Sequence, residues 1–169
     1  IHAALGVKFG CFVEMPVEKG IALLTGMDIV NIPPPTKDLK GDYILRAKKV
    51  REAISKYDGL YVHLKGPDEP AHDGDVQAKI DSIEAIDKYF FASLLKGIDL
   101  ENTIIAVTAD HSTPCIRKAH TDDPVPIIIT GGGIVSDGTG QFSEKACKNG
   151  KLGAMMGTDI MPKLVTFSK

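Results

Sequence analysis

Apolar and polar positions fall into two periods along this chain. Gly6–Glu14 (GVKFGCFVE), Met27–Ile32 (MDIVNI), Asp58–Leu64 (DGLYVHL), Asn102–Asp110 (NTIIAVTAD) and Val125–Thr130 (VPIIIT) are short apolar runs and predict strands. Between them the spacing changes to threes and fours. Pro16 suits the first turn of a helix reaching about Leu24, with Gly26 as its stop. Asp42 reads as the cap of a second helix carrying Ile44, Ala47, Val50, Ile54 and Tyr57. Val76, Ile80, Ile83, Ile86, Phe90 and Leu94 give the clearest helical face in the chain. GTDIMPKLVTFSK predicts a last helix, with Asp159 as a cap and Pro162 in its first turn. The stretch PPPTKDLKG (Pro33–Gly41) reads as a loop, because three prolines in a row donate no ladder hydrogen bonds.

Strands alternate with helices, and the strands are nearly continuous apolar runs. That pattern predicts an α/β fold, a mainly parallel sheet with helices on both faces. No repeat, low-complexity linker or internal boundary shows, so residues 1–169 read as one domain. The chain opens at Ile1 without a methionine and reads as part of a longer polypeptide.

Composition narrows the function by exclusion. A formal charge of −2 and a charged fraction of 25%, with no lysine run, give no footprint for nucleic acid or an anionic membrane. The apolar runs are too short to span a bilayer as helices. Three widely spaced cysteines, Cys11, Cys115 and Cys147, contain no C-x-x-C and suit a reducing cytoplasm. Cys115 lies close to the polar motifs, where a ligand or nucleophile role competes with that of a bystander thiol.

In parallel sheets, sites collect at the carboxyl ends of strands, and the polar clusters here fall at predicted strand ends. PDEPAHDGD (Pro67–Asp75) holds Asp68, Glu69, His72, Asp73 and Asp75. A solvated acidic loop is the plain reading of that stretch; a metal site is the sharper one. Asp110 and His111 leave the NTIIAVT strand, with helix capping by Asp110 or Ser112 as the plain reading. His120 precedes the VPIIIT strand. Carboxylate oxygen and imidazole nitrogen together suit divalent ions such as Zn²⁺ or Mn²⁺. His63 lies inside a predicted strand and reads as a satisfied histidine. Asp75 reads as the cap of the long helix, with Glu69 and Asp73 facing solvent or capping. Gly131–Gly133 lacks the phosphate-loop pattern and reads as a relaxed backbone after a strand. Lys37, in the proline loop, fits either a substrate contact or a solvated lysine.

HLKGPDEPAHDGD, TADHSTP and AHTDDPVPIII, in this order and spacing, resemble the archaeal-type cofactor-independent phosphoglycerate mutases of the alkaline phosphatase superfamily. EKGIALLTGMDIV before them and EKACKNGKLGAMMGTDIM after them extend the resemblance over nearly the whole chain. The resemblance implies an alkaline phosphatase-like core, present in part. It implies two divalent ions (manganese, magnesium or zinc), one on Asp68, His72 and His120 and one on Asp110 and His111. It implies a phosphoglycerate substrate, no 2,3-bisphosphoglycerate, and a cytoplasmic enzyme of glycolysis and gluconeogenesis that moves phosphate through a phosphoserine. The family's serine and the aspartate that completes its second metal site lie near the start of a longer chain and have no counterpart here: Ser55 sits in a predicted helix and Ser112 follows a metal histidine. The resemblance therefore implies a C-terminal portion that works with the N-terminal part of the same polypeptide and is inactive alone. Alternatives of the same superfamily are a metal-dependent phosphohydrolase or phosphopentomutase. A non-catalytic metal-binding module is the third reading.

Overall fold

The structure, a computed structural model, describes residues 6–168. Its chain divides into two compact units, residues 1–70 with 75–98, and residues 71–74 with 99–169.

The first unit is built on three strands, β1 (Phe9–Phe12), β2 (Asp28–Ile29) and β3 (Gly59–Val62), in the order β2-β1-β3 and all parallel. Helices α1 (Pro16–Thr25) and α2 (Leu39–Ala53) make the crossovers. Side chains of a strand alternate between faces, and β1 shows what that does. Phe12 joins Tyr43, Ala47, Val50 and Ala53 of α2 together with Phe90 and Leu94 in one core. Cys11 and Val13 turn the other way and bury against Ala22 of α1. Helices thus cover both faces of the central strand, as the continuous apolar runs predict.

Gly26 ends α1 at φ 74°, the left-handed stop expected of it. Helix α2 begins earlier than expected and has a different cap. Asp38 accepts from the Gly41 N–H at 3.0 Å. Asp42 instead holds the loop before it, accepting from the N–H of Thr36 at 2.6 Å and from its hydroxyl at 3.0 Å.

The acidic stretch is no loop. Asp68–Asp73 forms a short helix, α3. Asp75 then caps α4 (Val76–Ala85) by accepting from the Ala78 N–H at 3.0 Å, in the role expected of it. The helical run continues through a π segment (Ile86–Phe91) and a further turn at Ala92–Leu94. The added residue per turn shifts the buried stripe, and Phe90 and Leu94 still reach the core.

The second unit holds β4 (Ile104–Thr108) and β5 (Ile127–Gly131), which pair antiparallel with Ile104 opposite Gly131 and Thr108 opposite Ile127. This pair is the antiparallel departure from the parallel pairing of β1, β2 and β3, and the reason is local. A parallel return needs a crossover, usually helical, and the described segment between β4 and β5 contains no helix. Gly131, Gly132 and Gly133 all take positive φ (91°, 58° and 75°), the relaxed backbone expected after the strand. Short helix α5 (Glu144–Cys147) and helix α6 (Gly157–Phe167) close the unit. Asp159 reaches back to the Met156 N–H at 3.1 Å, whereas Pro162 lies inside α6 rather than in its first turn. Among the described residues no helix is long and apolar enough to cross a membrane.

Candidate metal centre

The antiparallel pairing explains why residues distant in sequence meet. It places the carboxyl end of β4 beside the amino end of β5. Asp110 and His111 leave one, and the loop bearing His120 enters the other. A bridge between Ser112 and Thr121, with the Thr121 N–H donating to the Ser112 carbonyl at 2.9 Å, zips the two segments together. The His111 and His120 rings stack as a result, with centroids 3.7 Å apart.

His72 reaches the same cluster from α3; its ring centroid lies 5.0 Å from that of His120. Asp68 opens α3, one turn before His72, so the D-x-x-x-H spacing puts both side chains on one helix face. One ligand atom from each of Asp68, His72 and His120 lies within 4.8 Å of the others, and no other group of three or more potential ligands occurs among the described residues. Donors about 2.1 Å from a common ion can be at most about 4.2 Å apart. Small side-chain rotations bridge the difference, and a mixed nitrogen and oxygen set suits Zn²⁺ or Mn²⁺.

Asp110 stays close to its neighbour. It accepts from the His111 N–H at 3.1 Å, and its other oxygen lies 3.5 Å from His111 Nε2. The hydroxyl of Thr113, a buried residue, lies 3.0 Å from His111 Nδ1. On the opposite side of His72, Nδ1 lies 3.1 Å from the Lys118 carbonyl oxygen. Neither Lys118 nor Thr113 stands out in the sequence. No periodicity or motif reports a backbone carbonyl or a hydroxyl aimed at a ring.

His63 belongs to a different network, in the first unit. Its Nδ1 faces the Glu18 carboxylate, and its carbonyl accepts from Arg46 at 2.9 Å. Arg46, only 7% exposed, also pairs with Glu14. Burial pushes the Arg46 guanidinium below its usual range. Glu18 in turn accepts from the Met15 N–H at 2.8 Å at the start of α1. Glu18 does not figure among the candidates read from the sequence, although an acid in the first turn of a helix is a legible signal. Lys37 lies in the exposed loop ahead of α2.

Residues 7–166 match the Metalloenzyme superfamily. The chain belongs to that superfamily. Its mixed α/β fold is the alkaline phosphatase-like class expected from the motifs. The 2,3-bisphosphoglycerate-independent phosphoglycerate mutase of Thermococcus kodakarensis is 38% identical over 156 residues, which cover 92% of this chain and 38% of that enzyme. A solved structure of a Pyrococcus horikoshii protein superposes with a TM-score of 0.91 at 34% identity, over 99% of this chain and 50% of that one. A cofactor-independent phosphoglycerate mutase from Thermoplasma acidophilum gives a TM-score of 0.75 at 26% identity, over 99% of this chain and 38% of that one. This superfamily member thus spans about two fifths of the curated relatives it matches. Membership implies use of a divalent metal.

Proposed function

We propose that this chain is the C-terminal portion of a cofactor-independent phosphoglycerate mutase, interconverting 3-phosphoglycerate and 2-phosphoglycerate. In this reading Asp68, His72 and His120 hold one divalent ion, and Asp110 and His111 contribute to a second. The reading is carried by the convergence of Asp68, His72 and His120 to within 4.8 Å. The mutase relatives support it, as does the antiparallel β4–β5 pairing that sets His111 beside His120. A bound ion supplies Lewis-acid charge to phosphoryl oxygens.

The chain's own residues orient that chemistry. Thr113 and Lys118 hold the rings of His111 and His120's neighbour His72 at their Nδ1 atoms. The nucleophile is proposed to be a serine outside these residues. Thr113 is buried with its hydroxyl at His111, and Ser112 is engaged through its backbone with Thr121. The Thr113 hydroxyl is thereby withheld from a substrate. Zinc and manganese fit the donor set better than magnesium, which prefers oxygen ligands, and Lys37 is a candidate contact for the substrate's anionic end. The reaction belongs to cytoplasmic glycolysis and gluconeogenesis.

The test is product analysis with 3-phosphoglycerate and added Mn²⁺. The chain alone is expected to give no turnover. The chain fused behind the leading segment of the Thermococcus kodakarensis mutase is expected to give 2-phosphoglycerate. Release of free phosphate without 2-phosphoglycerate would favour a phosphohydrolase instead. Metal uptake with no turnover in any fusion would favour a non-catalytic module.

A further inference from the structure

Lys118 has φ +53°, and among the described residues it is the only non-glycine residue with positive φ. Left-handed backbone is unfavourable for a residue with a side chain, so its surroundings must hold it there. Its carbonyl oxygen lies 3.1 Å from Nδ1 of His72. A carbonyl can only accept. Nδ1 therefore carries the proton, and in a neutral imidazole the lone pair then sits on Nε2.

A hydrogen-bonded turn aims this carbonyl. The Pro114 carbonyl accepts from the N–H groups of Arg117 at 2.9 Å and Lys118 at 3.0 Å, which closes the turn. Gly74, just past α3, has φ +79°, and a Cβ there would come within 2.5 Å of Lys118 Cε and 3.4 Å of the Cys115 carbonyl oxygen. Only the flexible end of the lysine side chain would have to move and 3.4 Å is an ordinary contact, so the left-handed φ, not the packing of the turn, calls for glycine at position 74.

We propose that Lys118 is a positioning residue. Its left-handed backbone aims the carbonyl at His72, fixes the Nδ1–H tautomer and so presents Nε2 to a divalent ion. Metal-bound histidines commonly donate their other ring N–H to such an acceptor, and losing that partner costs about 10–100-fold in affinity. The working part is the backbone, not the ammonium group. The purpose rests on reading His72 as a metal ligand, whereas the tautomer is a property of the metal-free protein.

The experiment uses the chain with Lys118→Gly, Lys118→Pro and Lys118→Val. Nitrogen–proton correlation spectra of the metal-free protein report which His72 nitrogen is protonated, and calorimetric titration with Zn²⁺ alone reports affinity. The parent and Lys118→Gly are expected to show Nδ1–H and similar affinities. Lys118→Pro, locked near φ of about −65°, is expected to show mixed tautomers and Zn²⁺ binding about 10–100-fold weaker. Should the proline variant fail to fold, Lys118→Val disfavours the same left-handed φ without removing the N–H, and is expected to shift both readouts in the same direction. An Nε2–H parent overturns the proposal. So does a folded proline or valine variant that keeps tautomer and affinity, or a glycine variant that loses both. A parent with Nδ1–H whose Zn²⁺ binding survives His72→Ala would sink the metal reading, and with it the purpose assigned to Lys118, but not the tautomer.

Discussion

The imidazole rings of His111 and His120 stack 3.7 Å apart with their planes inclined by 29°. Their contact joins the Asp110–His111 pair to the His72–His120 pair, so five candidate ligands form one continuous cluster rather than two separate ones. The Ser112–Thr121 bridge is what brings the rings together.

His72→Ala is expected to weaken Zn²⁺ binding by more than about 100-fold, the upper end for losing a mere supporting partner. His63→Ala is expected to leave it nearly unchanged, because His63 pairs with Glu18 in another network. Calorimetric titration of both variants checks this. Equal losses would make His63 a participant and the assignment wrong.

Arg46→Ala is expected to destabilise the chain by about 3 kcal/mol or more, since it leaves Glu14 without its cation in a half-enclosed position. Replacing both residues with apolar ones, Arg46→Met with Glu14→Leu, should recover part of the loss. Urea midpoints measure both. A single-variant cost below about 1 kcal/mol would mean that the pair behaves as an exposed one.

Gly131→Ala and Gly133→Ala separate steric from conformational cost. Both positions have positive φ, but a Cβ on Gly131 would lie 1.9 Å from the Thr103 carbonyl oxygen, whereas Gly133 has nothing within 4 Å. The first is expected to cost roughly 3 kcal/mol or more, and the second about 1 kcal/mol. Thermal denaturation of the two variants should rank them in this order.

Asp137 should keep the loop between residues 137 and 151 clamped at unusually low pH. Its carboxylate accepts from the Thr139 N–H at 2.9 Å and the Lys151 N–H at 2.8 Å. These bonds, the one from Thr139 foremost, hold its pKa down at about 2 against an ordinary 3.8. A lowered folded-state pKa stabilises above the unfolded value and is lost as pH falls through the folded one. Amide signals of Thr139 and Lys151 are therefore expected to stay in place at pH 3.8 and to shift only towards pH 2. Shifts already complete at pH 3.8, or an Asp137→Asn variant with the same profile, would refute the clamp.

The sequence alone determined the α/β class, most element positions and the five ligand candidates, because each depends on residues close together in the chain. Burial on both faces makes strands such as Phe9–Phe12 read as apolar runs. An i, i+4 spacing puts Asp68 and His72 on one side of any helix they share, and Gly26 after Thr25 is a local stop signal. It did not reveal that α3 is a helix at all, since two prolines and four acids within nine residues mimic a loop. It named Asp42 as the cap of α2 where Asp38 holds that place, because both have the right chemistry and only the Thr36 contact occupies Asp42. Only the tertiary structure decided the direction of β5 against β4, the stacking of His111 on His120 and the carbonyl of Lys118 at His72. Those depend on where the backbone returns after a loop, and backbone carbonyls and turn handedness leave almost no trace in side-chain identity.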